Sequence, residues 1–120
     1  MKILIADDEL RLRKVVALHL KKAGFDVLEA GNGLHALELA RENKPDLIVL
    51  DVMMPEMTGL EACNIIKADS ELKNTPIILL TAMAEAADIE RGNAAGAEFY
   101  LTKPFSPKEL IDKINSNFSR

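Results

Sequence analysis

Three acids, a hydroxyl and a lysine are the residues of this chain whose types could do chemistry together: Asp7 and Asp8 in the run Asp7-Asp8-Glu9, then Asp51, Thr81, and Lys103 ahead of Pro104. Each stands at or just after the end of a short apolar run. Three carboxylates against one ammonium leave an excess of negative charge, which repels itself unless a hard cation with oxygen ligands is present, and Mg²⁺ is the fitting one. Once a cation shields it, a carboxylate can act as nucleophile on a phosphoryl group and form an aspartyl phosphate, while a lysine and a hydroxyl hold the equatorial oxygens. Taken singly, the same residues have plainer readings. Asp51 alone is a strand-end cap, and Asp7-Asp8-Glu9 alone is dipole compensation at the start of a helix. The chemistry depends on a fold that brings them together.

The elements that must do so are readable. Leu47-Ile48-Val49-Leu50 is too short for a helix and rich in strand formers, so it reads as a strand buried on both faces. Ile3-Leu4-Ile5-Ala6 and Ile77-Ile78-Leu79-Leu80 read the same way, whereas Phe25 to Ala30 and Phe99-Tyr100-Leu101 are interrupted or flanked by charges, as expected of edge strands. A first helix carries Val15, Val16 and Leu20 at helical spacing from Leu12, with Lys21 and Lys22 in its last turn and Gly24 as its cap. Asn32-Gly33 opens a second with Ala36, Leu37 and Ala40, stopped at Lys44-Pro45. Thr58-Gly59-Leu60-Glu61 has the spacing of a capping box and starts a third, with Leu60, Cys63 and Ile66 inward. A fourth, within Ala84 to Ala95, has only Ile89 as a large apolar residue and Gly92 inside it, so it is expected to be weakly held. Ser106-Pro107-Lys108-Glu109 is a second capping box, opening a last helix with Leu110, Ile111, Ile114 and Phe118 inward. Alternating strands and helices imply parallel pairing with right-handed crossovers. The expected fold is α/β: a doubly wound five-stranded parallel sheet, order 2-1-3-4-5, with helices on both faces. In that order Asp7, Asp8, Asp51, Thr81 and Lys103 fall along one sheet edge, near the switch point between strands one and three.

Composition narrows the function classes. The 120 residues, 48% hydrophobic and 28% charged, fit one domain over residues 1–120 with a core that needs no disulfide. The single cysteine, Cys63, excludes an intrachain disulfide and reads as a small core residue. No apolar run approaches a membrane span, and Met1 to Ala6 runs straight into acids without the length or cleavage site of a signal peptide, so a cytoplasmic location and no membrane partner are expected. A net charge of −4 and a pI near 5.2 argue against a domain that itself coats nucleic acid. Arg11, Arg13 and Lys14 are expected on the solvated side of the first helix. His19 reads as partly buried packing and His35 as exposed, and neither has a second ligand at metal spacing.

With these residues at these strand ends, the chain resembles the receiver domain of two-component response regulators, including the chemotaxis receiver, over essentially its whole length. Asp7-Asp8 looks like the family's acidic pair, Asp51 its phosphoacceptor, Thr81 its switch hydroxyl, Tyr100 its switch aromatic, and Lys103-Pro104 its lysine with a following cis proline. The resemblance implies Mg²⁺ held by Asp8, Asp51 and the main-chain carbonyl of Met53, with Asp7 acting through water. It implies a donor phosphohistidine on a sensor histidine kinase or phosphotransfer protein, and a signalling switch that assists only its own phosphorylation and dephosphorylation rather than an enzyme. On phosphorylation Thr81 and Lys103 would draw inward and Tyr100 would fill the vacated space. The face made by the fourth helix, fifth strand and last helix would then meet a downstream protein or a second copy. The first helix, with Leu10 and Leu18 off its buried stripe, and the Pro104-Phe105 turn would dock the kinase. Met53 and Met83, two residues after Asp51 and Thr81, either flank the phosphoryl group and slow its hydrolysis or are filler like Met54 and Met57. With no effector domain after Arg120, a single-domain regulator or a receiver cut from a longer protein is expected. Two rivals fit less well. An aspartate-nucleophile phosphatase of the dehalogenase type would want a second acid where Met53 stands, and a flavodoxin-like cofactor binder would want free backbone donors where Asp7-Asp8-Glu9 would repel phosphate.

Overall fold

A computed structural model describes residues 1–82, 90 and 95–118. The apolar runs form strands: β1 (Lys2–Ala6), β2 (Asp26–Ala30), β3 (Leu47–Asp51), β4 (Ile77–Thr81) and β5 (Phe99–Thr102). Every residue of β3 and β4 is buried, as parallel strands covered by helices on both faces require, while β2 and β5 are largely half-buried. All neighbours pair in parallel in the order β2-β1-β3-β4-β5, the doubly wound arrangement expected.

Successive strand side chains point to opposite faces, so the sheet feeds two cores. Leu4, Ile48, Leu50, Ile77 and Leu79 pack with Ala36, Leu37 and Ala40 of one helix and Ala62, Cys63 and Ile66 of another. Ile3, Ile5, Leu47, Val49, Ile78 and Leu80 pack on the other side with Val16, Leu20, Leu110 and Ile114. The helices are α1 (Leu10–Lys22), α2 (Gly33–Asn43), α3 (Gly59–Ala68) and α4 (Pro107–Phe118). Asp7, Asp51 and Lys103 continue the alternation of the second set, which directs them to the α1 and α4 side at the carboxyl edge. Thr81 and Tyr100 belong to the first set. The helix expected within Ala84 to Ala95 falls almost wholly outside the described residues, as does Met83.

Both capping boxes form. Thr58 Oγ1 accepts from the Glu61 amide at 3.2 Å while Glu61 accepts from the Thr58 amide at 3.0 Å, and Ser106 and Glu109 exchange the same pair at 3.1 and 3.0 Å. Gly24, at φ +98°, takes the left-handed conformation that follows α1.

The phase of α1 differs from the expectation. The helix starts at Leu10 and buries Val16, Ala17 and Leu20. Val15 is 46% exposed, and His19 is exposed rather than partly buried, its Nδ1 2.9 Å from the Val15 carbonyl. At about 100° per residue the buried arc is centred near Leu20, which puts Leu12, Arg13, Val16 and Ala17 within it and Val15 and His19 beyond its edge. Apolar residues nearly all round this helix left the phase open.

Two sets of ties hold the sheet ends. At the amino ends, the Lys67 ammonium donates to the Thr75 carbonyl at 2.8 Å and to Glu98 at 2.7 Å, and Glu98 accepts the Ile77 amide at 2.8 Å. At the carboxyl end of β3, the Gly59 amide donates to the Val52 carbonyl at 3.0 Å, and a Cβ at Gly59 would overlap the Asp51 carbonyl. The first turn of α3 thus closes directly over the residue that ends β3. Gly59→Ala gains helix propensity of up to about 1 kcal/mol. Displacing the Asp51 main chain costs more, so the variant should be less stable by about 1–3 kcal/mol. Urea denaturation measures this, with a midpoint below the parent's at unchanged slope expected; an equal or higher midpoint would show that the two backbones can part freely.

Candidate functional site

Lys103 is the hub of the polar cluster. Its ammonium lies 3.0 Å from Asp7 Oδ2 and 3.0 Å from Asp51 Oδ2. The Lys103 amide donates to the Thr81 carbonyl at 2.7 Å, which extends the β4–β5 pairing past the strand end, and the Lys103–Pro104 peptide is cis. Asp51 is buried and its Oδ1 accepts from the Met53 amide at 3.3 Å. Asp7 is fully buried, with Oδ1 accepting from the Glu9 amide at 2.9 Å. Its Oδ2 pairs with the lysine ammonium, outside good hydrogen-bond alignment, and has no other partner among the described residues. Asp8 is exposed. Beside this cluster, Glu9, Leu12, Ala82, Lys103, Pro104 and Phe105 line an open cleft of about 370 Å³.

Burial is the main force on Asp51 and pushes its pKa up to about 6; the Lys103 hydrogen bond pulls down against it, and the nearby Asp7 charge pushes up again. For Lys103, burial acts to lower the pKa, but the hydrogen bond from its ammonium to Asp51 and the charges of Asp51 and Asp7 outweigh it, so the group is raised and stays an ammonium. The Cys63 thiol, buried and 3.4 Å from the Ala95 carbonyl, is pushed up to about 11 by desolvation, which leaves it an unreactive core residue as expected.

Asp7, Asp8 and Asp51 each present one carboxylate oxygen, and these lie within 4.8 Å of one another. A buried carboxylate oxygen is expensive unless well compensated, and Asp7 Oδ2 has only an ammonium that it shares with Asp51. A hard divalent cation bound through oxygens would relieve both that atom and the mutual repulsion, so the residues present fit such an ion.

The sequence pattern of the response regulator receiver domain matches residues 3–115. The chain belongs to that family. The receiver is 39% identical over 119 residues to the DNA-binding response regulator MtrA of Mycobacterium tuberculosis strain H37Rv, covering 99% of this chain and 51% of that protein. It thus spans about half the length of that regulator. Among solved structures, the Vibrio cholerae chemotaxis protein CheY4 superposes with a TM-score of 0.91 at 36% identity, covering 96% of each chain. The receiver domain of Francisella response regulator 1452 does so with a TM-score of 0.89 at 36% identity, covering 96% of this receiver and 93% of that chain.

The receiver fold brings together four of the residues singled out by type: Asp7, Asp8, Asp51 and Lys103. Thr81 is buried at the end of β4 and Tyr100 is half-buried on β5, its phenol pKa raised mainly by desolvation. Met53 is 71% exposed, whereas Met54 is buried. Leu10 and Leu18 are exposed on α1, and His35 is exposed as expected. One expectation is corrected here. Arg11 and Lys14 face water, but Arg13 is largely buried, with its guanidinium donating to the Asp7 carbonyl at 2.9 Å and to Glu29 at 3.1 Å. The signal for this was weak: Arg13 follows the acidic pair by half a dozen residues, but its partner Glu29 lies 16 residues away.

The raised Asp51 pKa has a definite sign. Its folded value of about 6 exceeds the ordinary 3.8, so ionisation opposes folding, and this group's contribution to stability falls as pH rises from 3.8 to about 6 and is flat above. The carboxyl carbon of Asp51 in the metal-free protein should therefore titrate by NMR with a midpoint near 6, moving up in Lys103→Met and down when a divalent cation is added. A midpoint near 3.8 that no cation moves would contradict the charge balance described.

Proposed function

We propose that this receiver is a phosphorylation-dependent switch of a two-component phosphorelay in the cytoplasm, with Asp51 as the phosphoacceptor. The observation that carries the reading is the position of Lys103, 3.0 Å from both Asp51 Oδ2 and Asp7 Oδ2 beside a third carboxylate. An Asp51 oxygen attacks the phosphorus of a phosphohistidine on a sensor histidine kinase or phosphotransfer protein. The new O–P bond forms as the P–N bond breaks, and the imidazole leaves and takes up a proton. Burial keeps competing water from Asp51, while Lys103 and the Thr81 hydroxyl hold the oxygens on which charge develops.

Mg²⁺ would be held by Asp8, Asp51 and the Met53 main-chain carbonyl, with Asp7 acting through water; when bound it neutralises charge on the carboxylates and the phosphoryl oxygens. Asp7 is the better placed of the acidic pair to hold Lys103, and Asp8, exposed, to reach the ion. The protein is not an enzyme toward external substrates: it assists only its own phosphorylation and the return hydrolysis. Exposed Met53 is positioned to shield the acyl phosphate only after the loop that carries it folds inward.

Output follows from the added charge. The phosphoryl group draws Thr81 and Lys103 toward it, and Tyr100, on the same sheet face as Thr81, takes the space released. The surface around β5 and α4, with the segment between β4 and β5, then binds a downstream protein or a second copy. The kinase docks at α1 through Leu10 and Leu18 and at the Pro104-Phe105 turn, where the cleft opens. A net charge of −4 leaves these residues without the basic stripe that direct nucleic-acid binding needs.

Incubation with Mg²⁺ and a small acyl phosphate, followed by intact mass measurement, should add one phosphoryl group to the parent and none to Asp51→Ala. Labelling that survives in Asp51→Ala, or that proceeds equally after the metal is chelated, would overturn this reading.

A further inference from the structure

Arg13 is a charged side chain that the proposed chemistry does not use, yet its partners lie directly behind the acidic pair. It sits on the buried arc of α1 and reaches across to the end of β2, where Glu29 accepts from its Nε at 3.1 Å. Glu29 is itself held from the outside by Lys14 at 3.3 Å. The other end of the guanidinium donates to the Asp7 main-chain carbonyl at 2.9 Å, and a side chain at Gly31 would crowd that same nitrogen. The Asp7 amide is meanwhile held by the Ala30 carbonyl at 3.1 Å. The Asp7 backbone is therefore gripped on both sides, by the end of β2 at its amide and by Arg13 of α1 at its carbonyl.

A peptide is planar, so fixing the Asp7 carbonyl also fixes the Asp8 amide and the place of the Asp8 Cα from which its side chain leaves. That matters because Asp8 is exposed and no side-chain tie from the other described residues sets its carboxylate, whereas Asp7 has Lys103 and the Glu9 amide. We infer that Arg13, anchored by Glu29, is a positioning residue for a divalent cation: it clamps the Asp7–Asp8 peptide so that Asp8 meets the ion from a preset place on the backbone. The inference rests on the metal reading of the preceding section.

The sign of the effect separates this role from simple charge. Arg13 carries a positive charge beside a cation site, so by Coulomb's law alone its removal would tighten Mg²⁺ binding. Loss of a residue that orients a ligand does the opposite, typically by about tenfold or more. Calorimetric titration of the full chain with MgCl₂ decides between them. Arg13→Ala should bind about tenfold more weakly than the parent. Arg13→Lys should fall between, because a lysine cannot hold both partners with one planar fork. Gly31→Val, which changes no charge but crowds the Arg13 nitrogen that holds the Asp7 carbonyl, should also weaken binding and carries the test if Arg13→Ala does not fold. Lys67→Ala, which breaks ties at the opposite end of the sheet, should leave the affinity unchanged. Equal or tighter binding in Arg13→Ala and Gly31→Val would overturn the inference, as would equal weakening in Lys67→Ala, which would make affinity a matter of general stability. A parent that binds no Mg²⁺ would instead remove the metal reading and this one with it.

Discussion

Three carboxylates gathered at the ends of two adjacent strands repel one another, and the protein counters this with one buried ammonium shared between two of them. Lys103 stands 3.0 Å from both Asp7 and Asp51, yet burial, with the Asp7 charge adding to it, outweighs that contact and lifts the Asp51 pKa to about 6. Much of the surrounding structure can be understood as what this arrangement requires. The central strands are buried on both faces, so Asp7 and Asp51 at their ends are desolvated and their mutual repulsion is felt at low dielectric. Strand alternation sends Asp7, Asp51 and Lys103 to one side and Thr81 with Tyr100 to the other. A charge change at Asp51 can thereby pull on both faces of the sheet.

The surrounding contacts keep the charged groups in register. Gly59 lets α3 close against the Asp51 carbonyl, the β4–β5 pairing runs on through Lys103, and Arg13 of α1 with Ala30 of β2 grips the Asp7 backbone. Such preorganisation is costly to stability at the site and useful to chemistry there, because groups that need not move when a cation or phosphoryl group arrives lose little of the interaction to reorganisation. The ties between Lys67, Thr75 and Glu98 at the far ends of the strands hold the scaffold that bears this strain of charge.

Much of this was legible in the sequence because its physics is local. A parallel strand covered on both faces must be apolar throughout, so β1, β3 and β4 announced themselves as short apolar runs, and charges in or beside the other two marked them as edges. Capping boxes are read from residues three apart, and both formed. The acids and the lysine could be assigned to one edge because strand order follows from which strands are continuously apolar. What escaped was long-range or rotational. The phase of α1 was hidden by Leu10, Val15 and Leu18, which are apolar but exposed, and with it the inward direction of Arg13. Periodicity cannot tell that an arginine expected in solvent finds a glutamate on another strand and a carbonyl behind the site.

If burying the Asp51 charge beside a second carboxylate costs more than Lys103 returns, removing that charge should stabilise the protein until a cation is supplied. Urea denaturation of the parent and of Asp51→Asn at pH 7, with and without Mg²⁺, tests this directly. The expected result is a higher midpoint for Asp51→Asn in the absence of divalent cation, with the gap closing or reversing as Mg²⁺ binds the folded parent. A lower midpoint for Asp51→Asn without the cation would contradict it, because the pair with Lys103 would then be a net source of stability rather than a partial answer to excess charge.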